Sequence, residues 1–190
     1  MPYFSNATLF LITTFFDLVA YILLLRIFFQ FFNVTFYNPI CQAIVKLTDF
    51  FLIWLRRLLP TSRKIDFAAL IFLIFFESVF FLILSSLSKT NYGAFAIATL
   101  ATSSLLEKTV NLMTWSILIL VIFSWFSNQK NHPLLEIVNN ITSGLLKKIR
   151  SFCPPIGSLD FSPLILIISL QIFLMLIVVP FRDFGISAIK

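Results

Sequence analysis

Residues 36–67, FYNPICQAIVKLTDFFLIWLRRLLPTSRKIDF, decide the fold. Ile40, Ile44, Leu47, Phe51, Trp54 and Leu58 recur at alternating spacings of four and three, which is one face of a helix. Lys46, Asp49, Arg56 and Arg57 fill the remaining positions. Asn38-Pro39 reads as an N-cap followed by proline at the first helical position, and Pro60 stops the helix. Asp66 then reads as the N-cap of the next helix, where a carboxylate also complements the dipole. An amphipathic basic helix over 39–59 is therefore predicted. The runs on either side of it are apolar enough for lipid.

Composition agrees. The chain of 190 residues is 59% hydrophobic with only 12% charged residues and a mean hydropathy of +1.01. A water-soluble domain of this size could not cover so much apolar surface. Four stretches are long enough to span a bilayer, at about 20 apolar residues each: 8–32, 67–87, 108–126 and 162–179. The run ahead of Lys108, AFAIATLATSS, is read as an extra outer turn added to four spans, with a tilted extension of span three as the other possibility. The first apolar run has no basic residue before it, so it is read as a retained span.

Basic residues set the expected orientation. Lys46, Arg56, Arg57, Arg63 and Lys64 follow span one, and Lys130, Lys147, Lys148 and Arg150 follow span three. Both segments are placed at the cytoplasmic face, with both termini outside. Their predicted partners are the bilayer and its anionic headgroups, each Lys or Arg contributing about 1 kcal/mol of attraction. A membrane-protein partner or a second copy is a further possibility, and nucleic acid is not expected.

A shift of 94 residues places Pro39 on Pro133, Thr48 on Thr142, Arg56 on Arg150, Pro60 on Pro154 and Asp66 on Asp160. These are turn and cap residues, so the match reflects architecture more than shared hydrophobicity. In the second copy His132-Pro133 opens a helix over 133–153 whose apolar face is Leu134, Val138, Ile141, Leu145, Ile149 and Phe152, and Asp160 caps the span that follows. The expected fold is an all-α membrane protein: four transmembrane helices as two tandem parallel repeats, 1–94 and 95–190, each helix–amphipathic interfacial helix–helix.

Asp17, Arg26 and Glu77 fall within predicted spans, and a lone charge at mid-bilayer costs roughly 3 kcal/mol or more. Counting depth from the cytoplasmic side puts Arg26 within reach of Glu77, so that pair is expected. The corresponding second-half residues are Asn111 for Asp17, Leu120 for Arg26 and Gln171 for Glu77. Asp17, Glu77, Asn111 and Gln171 could line an ion or proton path, or could simply fix helix register. Glu107 and Lys108 read as a separate polar spot at the outer end of span three. Cys41 and Cys153 read as free thiols that label only from the cytoplasmic side. A single histidine and the absence of P-loop, GxGxxG, HExxH and GxSxG patterns leave no expected cofactor, metal or catalytic residue.

The segments LLLRIFFQFF, FYNP, KLT and LRRLLP in the first half resemble the YggT family, also called YlmG, as do FSWF and PPIGSLDFSP in the second. The resemblance covers nearly the whole chain. It implies an integral membrane protein of the bacterial cytoplasmic membrane with a role in osmotic or salt tolerance and ion homeostasis. It also implies, as the alternative, a scaffold or assembly factor in division or cytochrome assembly.

Overall fold

In the computed structural model, residues 2–59, 64–88, 90–125, 132–155 and 160–189 are described. Those residues are helical apart from short connections: α1 (Pro2–Phe31), α2 (Pro39–Arg56), α3 (Phe67–Ser88), α4 (Ala94–Ser124), α5 (Pro133–Phe152), α6 (Ser162–Phe173) and α7 (Val179–Ser187). A π-helical segment, Leu174–Val178, joins α6 to α7. Pro180 accounts for it, because proline has no N–H for the ladder and its ring crowds the carbonyl four residues back, so the turn widens. Four helices are long and apolar enough to cross a membrane: Asn6–Phe31, Phe67–Ser88, Ala94–Ser124 and Ser162–Ser187. The chain is a multi-pass, all-helical membrane protein.

The run ahead of Lys108 is not a separate outer turn. α4 continues unbroken through it for 31 residues, about 46 Å at 1.5 Å per residue. Nothing in 94–107 would break a helix, and the stretch has α7 to pack against. Gly185 of α7 lies so close to Thr99 that a Cβ there would collide with the threonine side chain. α4 is the central element, touching α1, α3, α5, α6 and α7. Lys108 therefore lies at mid-helix rather than at an end.

Short polar devices close the long helices. After α1, Asn33 takes the left-handed conformation (φ 52). Its N–H reaches the Gln30 carbonyl, and Val34 N–H reaches Phe29, which caps the last turn with Val34 packed in the core. Asn38 Oδ1 accepts from Ile40 N–H at 3.0 Å, and His132 Nδ1 accepts from Leu134 N–H at 3.2 Å. Asp66 Oδ1 accepts from Ala69 N–H at 3.1 Å. Asp160 stands one place further out than expected: Phe161 is the N-cap of α6, and Asp160 Oδ1 accepts from Ser162 N–H at 2.9 Å. Pro60, Arg63, Lys89, Lys130, Gly157 and Lys190 lie outside the described residues.

The two amphipathic helices use their apolar faces differently. α2 rests on the bundle through Cys41, Thr48 and Leu52, with Ile40 and Ile44 packed beside them. Its Leu47, Phe51, Trp54 and Leu58 are exposed, as suits a lipid-facing stripe. On α5, by contrast, Val138 and Ile141 are buried and Leu145 and Ile149 pack on the Ile117–Leu146–Leu166 cluster. That face was expected toward lipid. Most of it covers protein instead, against α4 and α6, while Phe152 at its end stays exposed.

The two thiols differ for the same reason. Cys41 is buried, whereas Cys153 is half-buried at the end of α5, and both are free. Burial pushes the Cys41 thiol up, against the Arg26 charge. A membrane-permeant maleimide is thus expected to label Cys153 at least tenfold faster than Cys41, since the thiolate is the nucleophile. Equal rates in the native protein would place Cys41 at the surface.

Candidate functional site

Two charge clusters lie between the helices, and they divide the sequence-predicted residues differently from the expected Arg26–Glu77 pair. The first joins α1, α2 and the start of α3. Arg26, only 4% exposed, points its guanidinium toward α2 and away from Glu77. It donates to Asp49 Oδ1 (2.6 Å), Asp66 Oδ2 (3.3 Å), the Val45 carbonyl (3.0 Å) and Thr48 Oγ1. Arg56 closes the ring on the same two carboxylates, at 3.0 Å to Asp49, with a second bond to Asp66. Two guanidinium groups face two carboxylates, so the group is neutral. A planar fork that serves several acceptors at once is a role for arginine, not lysine.

Burial would raise the Asp66 carboxyl, but the Arg56 hydrogen bond, the Ala69 N–H and the two guanidinium charges outweigh it and hold it below the usual carboxylate range. Its contribution to stability is therefore full above the ordinary aspartate range and is lost only as pH falls through the lowered value. Arg150 and Asp160 make the corresponding ion pair at the other end of the chain, at 2.7 Å, but without an equivalent of Arg26. Arg56 and Arg150 are thus committed to ion pairs. Arg57 lies over the Trp54 ring at 5.1 Å, and Lys46, Lys147 and Lys148 are exposed.

The second cluster lies at the middle of α1, α3 and α4. Lys108 Nζ is 2.9 Å from Glu77 Oε1, 3.1 Å from Asp17 Oδ1 and 2.6 Å from Ser104 Oγ. Glu77 is 1% exposed, its Oε1 lies off the hydrogen-bonding direction of the ammonium, and Oε2 has no hydrogen-bond partner among the described residues. The Asp17 side chain is 42% exposed on the outer flank of α1. One ammonium faces two carboxylates, an uneven balance in an apolar layer.

Asn111 and Gln171, expected beside Asp17 and Glu77, make no hydrogen bond to this cluster and are half-buried elsewhere on α4 and α6. Glu107 turns the other way, to Arg182 of α7 at 3.6 Å. Lys108 is the member the sequence reading missed. Its signal was position: an 18-residue apolar window can be placed across it as readily as after it.

A bridge also joins the starts of α2 and α5. Asn38 Nδ2 donates to the Pro133 carbonyl at 2.8 Å and to Glu136 Oε2 at 3.0 Å, while Thr35 donates to Glu136 Oε1. These bonds, Thr35 first, hold the Glu136 carboxyl below its usual range. Asn38→Asp should keep the cap yet lose both amide donations and set a carboxylate against Glu136. A melting temperature lower by about 2–4 °C at neutral pH is expected in detergent, roughly one lost hydrogen bond's worth. The deficit should shrink on acidification, once either carboxylate takes a proton. An unchanged melting temperature would show that the bridge contributes nothing.

The family model described as CCB3/YggT matches residues 5–87 and again residues 99–181. The chain belongs to the CCB3/YggT family. The two matches are offset by the same 94 residues as the turn and cap residues. A protein of Vibrio alginolyticus described as "Uncharacterized protein in proC 3'region" is 36% identical over 87% of this chain and 90% of its own length. "Uncharacterized protein YggT" of Escherichia coli K12 is 33% identical over 88% of this chain and 87% of its own length. "Uncharacterized protein PA0392" of Pseudomonas aeruginosa is 31% identical over 92% and 89%. No solved structure matches the chain.

Proposed function

We propose that this CCB3/YggT protein is a non-enzymatic component of a bacterial cytoplasmic membrane that supports ion homeostasis, and with it osmotic or salt tolerance, through the Asp17–Lys108–Glu77 cluster. The observation that carries the reading is the cluster's uneven charge. A device that only fixes helix register would be expected to be neutral, as the Arg26–Asp49–Asp66–Arg56 ring is. A surplus carboxylate in an apolar layer is costly and marks a functional site by default.

The proposal includes two tandem parallel repeats and an orientation with the amphipathic helices in the cytoplasm and both termini outside. The doubled family match and the paired Arg56–Asp66 and Arg150–Asp160 contacts support the first. The excess of basic residues around α2 and α5 supports the second. A second reading, a membrane scaffold or assembly factor, draws on the outward Leu47, Phe51, Trp54 and Leu58 of α2 and the exposed Lys147 and Lys148 of α5.

Growth at high salt separates the two in a bacterium deleted for its own family member. Glu77→Gln should accumulate in the membrane yet fail to restore growth, and Lys147→Gln with Lys148→Gln should restore it. The reverse pattern would favour the scaffold.

A further inference from the structure

The Asp17–Glu77–Lys108 cluster cannot reach neutrality with its own charges. With the lysine protonated and both carboxyls ionised it carries one negative charge too many, between three apolar helices. One added positive charge removes the imbalance. The oxygens gathered here, Asp17 Oδ1, Glu77 Oε1 and Ser104 Oγ, all lie within 3.1 Å of the ammonium. A sodium or potassium ion among them would press against Lys108. A proton would not, and Glu77 Oε2 is a buried carboxylate oxygen without a hydrogen-bond partner.

We propose that Asp17, Glu77 and Lys108 form a site for a single exchangeable proton, held chiefly on Glu77. This rests on the ion-homeostasis reading and names its ion. In the loaded state one carboxyl O–H forms and the cluster is neutral; release returns the proton to water and leaves both carboxylates sharing the ammonium.

Asp17 is the more exposed of the two carboxylates, on the outward flank of α1, and Glu77 is the enclosed one. On the same α1–α3 seam, toward the end away from α2, lies a cavity of about 330 Å³ lined by Thr8, Leu9, Leu84, Leu87, Ser88 and Tyr92. The rings of Phe16, Phe76 and Phe80, Phe16 stacked on Phe76 and tilted against Phe80, lie on the seam between this cavity and the cluster. Among the described residues no other charge competes for Glu77. α1 presents Asp17 and α4 presents Lys108, while Glu107 is turned to Arg182, and Asp49 and Arg56 of α2 are held in the ring around Arg26.

The test is an equilibrium titration of the full chain in phosphatidylcholine vesicles, followed by the infrared carbonyl stretch of protonated carboxyls. The wild type should gain a carboxyl band as pH falls that Glu77→Gln lacks, amounting to about one proton per chain for a coupled pair that shares it. Replacing sodium by potassium or choline should leave its midpoint in place. Glu77→Gln keeps the Lys108–Asp17 pair, so it should fold; Asp17→Asn, on the exposed flank, is the second variant and should abolish the same event. Identical titrations in the wild type and both variants would overturn the proposal. A midpoint that moves with sodium or potassium would also overturn it, making the ligand an alkali cation. Because the titration uses no gradient and no cell, restored growth with Glu77→Gln would count against the ion-homeostasis reading and leave the proton site standing, and an unchanged titration sinks the site whatever the growth assay shows.

Discussion

Lys108→Met is expected to cost more stability than any other single substitution in the chain. The change fits the volume, but among the described residues it strips the only cation from Glu77, which is 1% exposed, and from Asp17. Breaking a buried pair by removing one partner costs about 3–5 kcal/mol. The loss is partly offset because the stranded carboxyls can protonate instead of staying charged. Membrane accumulation should fall several-fold, and the protein that remains should melt earlier in detergent. Lys108→Arg should be milder, since the charge stays, although the longer planar head must find room between α1 and α3. An Lys108→Met protein as abundant and heat-stable as the wild type would show that the lysine is not buried between two carboxylates.

The second large effect is expected at Arg26. Arg26→Leu installs the residue found at the corresponding position 120 of the second half. It leaves Asp66 with Arg56 as its remaining cation and frees the Val45 carbonyl and Thr48 hydroxyl that Arg26 satisfied. A cost of about 3 kcal/mol is expected, at the low end of the buried-pair range because Asp49 is partly open to solvent. Since the ring ties α1 to α2 and α3, limited proteolysis within α2 should be faster than in the wild type. Adding Glu77→Gln should not rescue it, because the two residues belong to different clusters. Adding Asp49→Asn should, by removing a carboxylate left in excess. Rescue by Glu77→Gln would restore the pairing that sequence depth alone suggested.

That contrast shows where sequence reading reaches and where it stops. Spans are long runs of one chemistry, so their number follows from length and hydropathy. Helix starts are local as well: Asn38-Pro39 and His132-Pro133 carry a side-chain acceptor and a proline that needs no donor, within two residues of the helix each opens. Partner choice is not local. Arg26 and Glu77 were matched by depth, but depth does not say which way a long side chain leans. Arg26 leans toward the interface, where Asp49, Asp66 and Thr48 offer polar acceptors, as long charged side chains near helix ends do.

Lys108 was misjudged through an error of boundary. With residues 94–107 set aside as an outer turn, it became a span end, where a lysine needs no explanation. Once α4 is continuous, it becomes a mid-membrane charge that must have a partner. That the α2 stripe stays largely exposed while most of the α5 stripe packs on protein was equally invisible, because an apolar stripe does not state which apolar partner it meets.

The central claim is that Lys108 and Glu77 are partners in the interior of the bundle, and a double-substitution cycle tests it most directly. Melting temperature and membrane accumulation would be measured for the wild type, Glu77→Gln, Lys108→Met and the protein with both changes. Coupled residues depart from additivity by roughly 0.5–3 kcal/mol, and independent ones add within a few tenths. The expected result is that the doubly changed protein is more stable than Lys108→Met alone, because Glu77→Gln removes the carboxylate that the lost ammonium had held. Strictly additive losses would contradict it.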